Sequence, residues 1–476
     1  MADCTHIKQL SPLDLTVPTA YINILFAFDT TDRTPAVREH LKVGLDVLSK
    51  QLPWLSGRVF ASKFQQKPSL EIRYNADTAL TLLDKGSIDG TYETLSSQGM
   101  PPEEIPPEVW PLPPVIDDAL AAAGAPVFAT SLFRFADHGV GLCVSLHHNT
   151  VDATGFSEII KQWTRNITNS GLDLTSPTQF GRIERLSEAL SPQLEEISAL
   201  SYEELLAKHP EYAKTQPTTD EPAQQTESPP CTSKVFTIPI HRIITIKEAL
   251  GKYTPNPPTT NVILCALLWT AITRVRAQRS PSLAESITSR LATIVNGRRR
   301  ISSTFSPASN PYFGNVVLYT RTEATAALLT NTKTTSTSSP ESTRTLSEIC
   351  TRIATSQSPS TITARHIAEV YRLINDSEDH RTLDPGWDIF GSRDLAITSW
   401  ADLELYEVDF GAGLGRPGFV RLPYMEADGV AVLLPRRRGG VDESLEVMVL
   451  LRRDDMAVLE RDEEWLAVAS GVGNSA

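Results

Sequence analysis

Residues 209–233 (HPEYAKTQPTTDEPAQQTESPPCTS) are polar, proline-rich and almost devoid of aliphatic side chains, and they cut a chain of 476 residues into halves of similar size. A stretch of that composition has no apolar face to bury, so it reads as a crossover loop between two packed units. The length allows two or three domains. A single break near the middle favours two, residues 1–208 and 234–476, with a ligand site between them. Two further stretches read as surface segments: the proline-rich residues 100–114 (MPPEEIPPEVWPLPP) and the Ser/Thr-rich residues 331–345 (NTKTTSTSSPESTRT).

Both halves mix strands and helices, which places the chain in the α/β class with mixed sheets. Residues 21–28 (YINILFAF) read as a buried strand and residues 35–50 as an amphipathic helix. Residues 128–135 and 140–146 read as strands joined by Ala136-Asp137-His138-Gly139, a hairpin signal. In the second half, residues 260–276 suit a buried helix, and strands at 430–435 and 445–451 flank Arg436-Arg437-Arg438-Gly439-Gly440. A last helix is expected over residues 454–467, and no internal repeat of fixed period is present.

Charge and cysteine usage narrow the function classes. A formal net charge of −13 argues against a nucleic-acid partner, which wants a basic face. No apolar run approaches the roughly 18 residues of a membrane span, and Met1 to His6 lack the pattern of a signal peptide. The five cysteines are scattered, without the spacing of a metal site or the even set of a disulfide framework. A reduced, cytoplasmic setting without metal or membrane is expected, and the sequon Asn166-Ile167-Thr168 should stay unmodified.

The segment that carries chemistry is His147-His148-Asn149-Thr150-Val151-Asp152. Val140, Leu142, Val144 and Leu146 share one face of the preceding strand; His147 shares the other. If the strand persists, His148 falls in phase with the aliphatic face and points inward, away from His147. Asp152 precedes a helical pattern (Phe156, Ile159, Ile160, Trp163), where a cap or ion-pair role is natural. For an arbitrary His-x-x-x-Asp string, a core histidine beside a helix cap is the ordinary outcome. Here other motifs accompany it.

His148-Asn149-Thr150-Val151-Asp152 together with Asp409-Phe410-Gly411-Ala412-Gly413 resembles the HxxxD and DFGWG motifs of the BAHD acyltransferases, in the same order and at similar separation. Leu10 to Asp14, Leu52 to Arg58, Trp269 to Arg276, Asn296 to Arg300, Tyr312 to Asn315 and Ile397 to Trp400 match further family segments in order. Two departures stand out: Ala412 replaces the motif tryptophan, and Ala153 replaces the glycine that usually follows HxxxD. Residues 398–417 look most like the fungal branch typified by trichothecene 3-O-acetyltransferases.

The resemblance implies a chloramphenicol-acetyltransferase-like fold of two domains with a central channel. It implies an O-acyltransferase of the class that moves groups other than aminoacyl groups. Acyl-CoA, foremost acetyl-CoA, would be the cosubstrate, with no permanently bound cofactor. The acceptor would be a hydroxyl of a fungal secondary metabolite such as a trichothecene-like terpenoid, in mycotoxin-type biosynthesis, and the protein a monomer. His148 would act as general base in a direct attack. Asp152 would be structural, paired with Arg298, and Asp409 likewise architectural. Trp400 and Thr398 would lie at the reacting centre, with core packing the competing role for Trp400. Arg299 and Arg300, like Arg436 to Arg438, are candidate phosphate contacts for coenzyme A or solvated surface runs; Lys252 and Arg274 are no stronger. The competing readings are a stand-alone condensation domain of the peptide-synthetase type, a catalytically silent ligand-binding relative, and a purely structural protein.

Overall fold

The computed structural model describes residues 5–31, 35–168, 181–214, 229–254, 256–284, 287–332, 339–388, 392–411, 413–439 and 443–472. Most of the expected crossover, part of the Ser/Thr-rich stretch, Ala412 and Gly440 lie outside them.

The first half is organised by a five-stranded sheet in the order Phe419–Arg421, Tyr21–Phe28, Val140–His147, Phe128–Arg134, Leu82–Ser87. Every residue of Tyr21–Phe28 and Val140–His147 is buried, because both faces of the sheet are covered. Side-chain alternation divides them between two cores. Ile24, Phe26, Leu142 and Val144 pack with Leu41 of the helix Pro35–Gln51 and Phe156 of the helix Ala153–Thr168. Leu25, Ala27 and Cys143 pack on the opposite side with Ile105, Val109 and Trp110.

That second core corrects the reading of residues 100–114 as a surface excursion. Its acids (Glu103, Glu104, Glu108) are exposed, but Pro101, Pro102, Ile105, Val109 and Trp110 are buried. Two 3-10 turns, Pro102–Glu104 and Pro107–Val109, set that alternation, with a proline at the first position of each, where its missing N–H costs nothing.

A seven-stranded mixed sheet organises the second half, in the order Val317–Thr325, Thr288–Asn296, Leu395–Ser399, Val430–Leu433, Ser444–Arg452, Cys231–Pro239, Ser470–Gly471. From Val262 to Thr273 the helix Thr260–Arg279 is buried on all sides, between this sheet and the helices Pro340–Ser356 and Arg453–Leu459, as its apolar run Val262 to Trp269 requires. Several boundaries differ from the sequence reading. Tyr212–Lys214 and Cys231 to Ser233 belong to strands rather than to the crossover loop. Pro340 opens a helix, so residues 340–345 are not loop. The last helix is broken into Arg453–Leu459 and Glu463–Leu466, because Asp462 caps the second piece by accepting from the Trp465 N–H.

The halves interlock. Phe419–Arg421 pairs with Tyr21–Phe28 as an edge strand of the first sheet. In return, Leu186, Leu190 and Leu205 of the first half pack with Ile367, Val370 and Ile374 on the helix Ala364–Asp376. A large cavity lies between the two sheets' loop ends and takes its lining from both halves. Four cysteines, Cys143, Cys231, Cys265 and Cys350, are free thiols. Among the described residues no helix is long and apolar enough to cross a membrane. Asn166 is buried in its helix and donates to the Gln51 side chain.

Candidate active site

The strand Val140–His147 stops one residue before the expected in-phase position. His148 opens a 3-10 turn, His148–Thr150, and the helix Ala153–Thr168 follows. The His148 N–H still reaches the Ala20 carbonyl (2.9 Å), but Thr150 Oγ1 folds back on the His147 carbonyl (2.7 Å), and the Val151 N–H closes onto the His148 carbonyl. The turn, rather than strand phase, therefore aims His148, and it places the residue at the wall of the cavity.

The two neighbouring histidines occupy different environments. His147 is 1% exposed, packs edge-on against Tyr21, and has no hydrogen-bond partner at Nδ1. Burial pulls its pKa down to about 3, helped by His148, so it stays neutral. His148 is half-buried, with Nδ1 3.2 Å from the Val151 carbonyl. A carbonyl only accepts, so Nδ1 carries the proton and Nε2 is left with a free lone pair. Burial lowers the pKa of His148 below its ordinary value, opposed by the backbone carbonyls around the ring and the Asp152 carboxylate. The imidazole is thus neutral and basic at Nε2 at physiological pH.

Asp152 holds the turn rather than the imidazole. Its Oδ1 accepts from the Gly155 N–H (2.9 Å), the cap that starts the helix, and from Arg298 Nη2 (3.0 Å). Its Oδ2 accepts from Arg298 Nη1 (2.7 Å) and the Val316 N–H (3.0 Å). Arg298 spends its remaining donors on the Tyr312 and Gly314 carbonyls and on Asn296 Oδ1. Gly155 is required for this approach, because a Cβ there would collide with the Phe313 carbonyl oxygen.

A second buried acid completes the scaffold. Asp14, fully buried, accepts from the Ser11 N–H and hydroxyl through Oδ2 (both 2.8 Å) and from Asn315 N and Nδ2 through Oδ1 (2.8 and 2.9 Å). Asn315 Nδ2 also donates to the His148 carbonyl (2.9 Å). Arg182 donates to the Thr150 carbonyl, with its guanidinium 3.5 Å from Asp14 and 4.9 Å from the Trp54 ring centre. Sequence reasoning quoted Asp14 and Asn315 as motif letters without a role and missed Arg182. An acid inside an apolar opening segment was the available signal for Asp14; Arg182 offers none.

The cavity measures about 710 Å³. His148, Asp152, Thr398, Trp400, Tyr319 and Trp387 are among its lining residues. Thr398 and Trp400 come from the end of the strand Leu395–Ser399, where the Trp400 N–H bonds the Leu433 carbonyl (2.8 Å). The remaining named residues lie elsewhere. Asp409 is exposed and accepts from the Gly411 N–H (2.8 Å), which sits at a φ of 79°. Arg299 is exposed and Arg300 donates to the Gln357 carbonyl (3.0 Å); neither lines the cavity. Arg274 is held by Asp462, Arg436 by Glu443 and Arg438 by Asp402. Arg437 and Arg438 border a separate recess of about 520 Å³ with Arg416, Tyr92 and Tyr406.

With this geometry in view, known proteins supply the context. The family model described as the Transferase family matches residues 5–466. Trichothecene 8-O-acetyltransferase of Fusarium sporotrichioides is 27% identical, with 97% of this chain and 98% of the relative covered. O-acetyltransferase ptmV of Penicillium ochrochloron is 25% identical, over 96% and 95%. The crystal structure of F. graminearum TRI101 complexed with coenzyme A and T-2 mycotoxin has the same fold, with a TM-score of 0.81 at 18% identity, covering 98% of this chain and all (100%) of that one.

Proposed function

This chain belongs to the Transferase family, the BAHD acyltransferases that its motifs resemble, and on that premise we propose that it transfers an acyl group from acyl-CoA to a hydroxyl of an apolar small metabolite. The observation that carries this reading is the 3.2 Å contact of His148 Nδ1 with the Val151 carbonyl, which assigns the proton to Nδ1 and leaves Nε2 as the basic nitrogen, on a residue that lines the cavity. Acetyl-CoA is the donor and a hydroxylated terpenoid of the trichothecene type the acceptor, in keeping with what the relatives' names describe.

Nε2 of His148 takes the proton of the acceptor hydroxyl as its oxygen attacks the thioester carbonyl. The resulting tetrahedral oxyanion forms near the end of the strand Leu395–Ser399, where the Thr398 hydroxyl and the Trp400 indole N–H are the available donors. Collapse expels the coenzyme thiolate, which recovers the proton from His148. Asp152 and Arg298 support the turn, and Asp409 shapes the loop bearing Phe410; none of the three transfers a proton. Arg437, in a recess it shares with Asp29 and Glu407, is a further candidate beside Arg299 and Arg300 for contact with the coenzyme's phosphates. The protein works as a cytoplasmic monomer, its two units (residues 1–208 and 234–476) meeting around the channel.

The test is coenzyme A release, followed with a thiol reagent, over a panel of acyl-CoAs and hydroxylated terpenoids. Turnover that needs both an acyl-CoA and an alcohol is expected. A folded protein that releases no coenzyme A with any alcohol, yet binds the ligands, would instead identify a silent relative.

A further inference from the structure

Away from the cavity's reacting end, four ionisable side chains that the acyl-transfer reading does not use converge beside the crossover. His209 and Glu211 follow the helix Tyr202–Lys208; His366 and Glu369 sit three residues apart on the helix Ala364–Asp376, hence on one face. His209, Glu211 and Glu369 are buried, at 1%, 6% and 7% exposure. Glu211 Oε1 lies 2.8 Å from His209 Nδ1 and 3.5 Å from His366 Nε2. The two imidazole rings are 4.7 Å apart and nearly perpendicular, so they do not stack face to face.

Charge balance is what makes the cluster informative. Glu369 has cationic partners in Lys208 (2.8 Å) and Arg365 (3.2 Å). Among the described residues Glu211 has none: its only ion-pair neighbours are the two histidines. A buried carboxylate without a cation is costly. His366 Nε2 and His209 Nε2 are both buried without a hydrogen-bond partner.

We propose that His209 Nδ1, Glu211 Oε1 and His366 Nε2 form a binding site for a divalent transition-metal ion of the Zn²⁺ class. One ligand atom from each of the three lies within 4.8 Å of the others. Tetrahedral ligands about 2.0–2.1 Å from zinc are roughly 3.3 Å from one another, and the distances of 2.8 and 3.5 Å from Glu211 Oε1 bracket that value. The third edge, from His209 to His366, is at most 4.8 Å and would shorten on binding, with a water as the fourth ligand. Two imidazoles and one carboxylate suit zinc better than magnesium or calcium, which prefer all-oxygen shells. Glu369 Oε2, 3.3 Å from His209 Nε2, is placed to orient the liganding imidazole from behind.

The ion would pin the start of the crossover to the helix Ala364–Asp376. Directly after Glu211, the strand Tyr212–Lys214 pairs with Leu383–Pro385, and Tyr212 and Leu383 both line the cavity. The metal is therefore a staple for the cavity wall, remote from the chemistry of His148, and its existence does not depend on the acyl-transfer reading.

The experiment uses the full chain, stripped with a chelator and titrated with Zn²⁺ against a chromophoric competitor, with Co²⁺ as a spectroscopic probe. One Zn²⁺ per chain, intense visible bands from four-coordinate Co²⁺, a higher Tm with Zn²⁺ and no response to Mg²⁺ are expected. His366→Gln and Glu211→Gln should weaken binding by at least about 10- to 100-fold, since even outer partners of a metal ligand cost that much. His148→Ala should bind as the wild type does. Absence of saturable Zn²⁺ binding by the folded wild type overturns the site. Binding lost in His148→Ala but kept in Glu211→Gln also overturns it. Should the substituted chains fail to fold, the wild-type stoichiometry and Co²⁺ spectrum decide alone.

Discussion

The turn at Asp152 and the loop at Asp409 both present an aspartate from a recognisable motif, but the structure uses them in opposite ways. Asp152 is 4% exposed and satisfied by Arg298, a helix N-terminus and the Val316 N–H, so the charge itself joins the first half to the second. Asp409 is exposed and, among the described residues, bonds only across its own turn, to Gly411. In that loop the neighbour does the joining: Phe410 is 1% exposed and meets Phe26, Phe28 and Trp163 at ring separations of 5.3, 5.2 and 5.8 Å. A motif letter does not fix a mechanism. One acid is an electrostatic tie, and the other is a turn former beside an aromatic anchor.

The comparison can be broken at each end. Asp152→Ala strands Arg298 in the interior, and losing one partner of a buried pair costs about 3–5 kcal/mol; a large fall in Tm and mostly insoluble protein are expected. A soluble Asp152→Ala protein with wild-type Tm and no turnover would give that carboxylate a chemical role. Phe410→Ala removes an aromatic from a packed core, for about 3–4 kcal/mol, read as a lower denaturation midpoint with His148 chemistry intact in the folded fraction. Asp409→Ala should shift stability by less than about 0.5 kcal/mol, as exposed positions do, and leave coenzyme A release nearly unchanged. A collapse of activity there would return Asp409 to the site.

A smaller effect is expected from pH. The folded pKa of His147 is depressed to about 3, below its unfolded value. The unfolded chain therefore takes up a proton that the folded one refuses, so stability is full above about pH 6.5 and declines as pH falls toward 3. His147→Phe should flatten the acid side of a Tm-against-pH curve; an unaltered curve would show that other groups govern it.

Much of the fold was legible because it rests on local pattern. The strand Tyr21–Phe28 announces itself by a nearly continuous apolar run, Val140–His147 by apolar alternation, and the helix Pro35–Gln51 by its periodicity. Residues 100–114 misled because proline and glutamate dominate their composition, while burial is decided by Ile105, Val109 and Trp110. The turn that orients His148 depends on Thr150 and on the Asn315 contact with the His148 carbonyl, 167 positions away in the chain. Arg182 reaches Asp14 across 168 positions. Such partners leave no local trace, and the same holds for His366 beside Glu211.

The central claim is that Nε2 of His148 is the base, and that His147 beside it is only packed. Single-turnover coenzyme A release by folded His148→Ala and His147→Phe, each against wild type, tests it most directly. A fall of about 10²- to 10⁴-fold is expected for His148→Ala, with the wild-type rate constant from pH 7 to 8 and falling only below the ordinary histidine range, because burial lowers that pKa. His147→Phe should keep most of its rate. Near-full turnover by His148→Ala, or a loss confined to His147→Phe, would contradict the assignment.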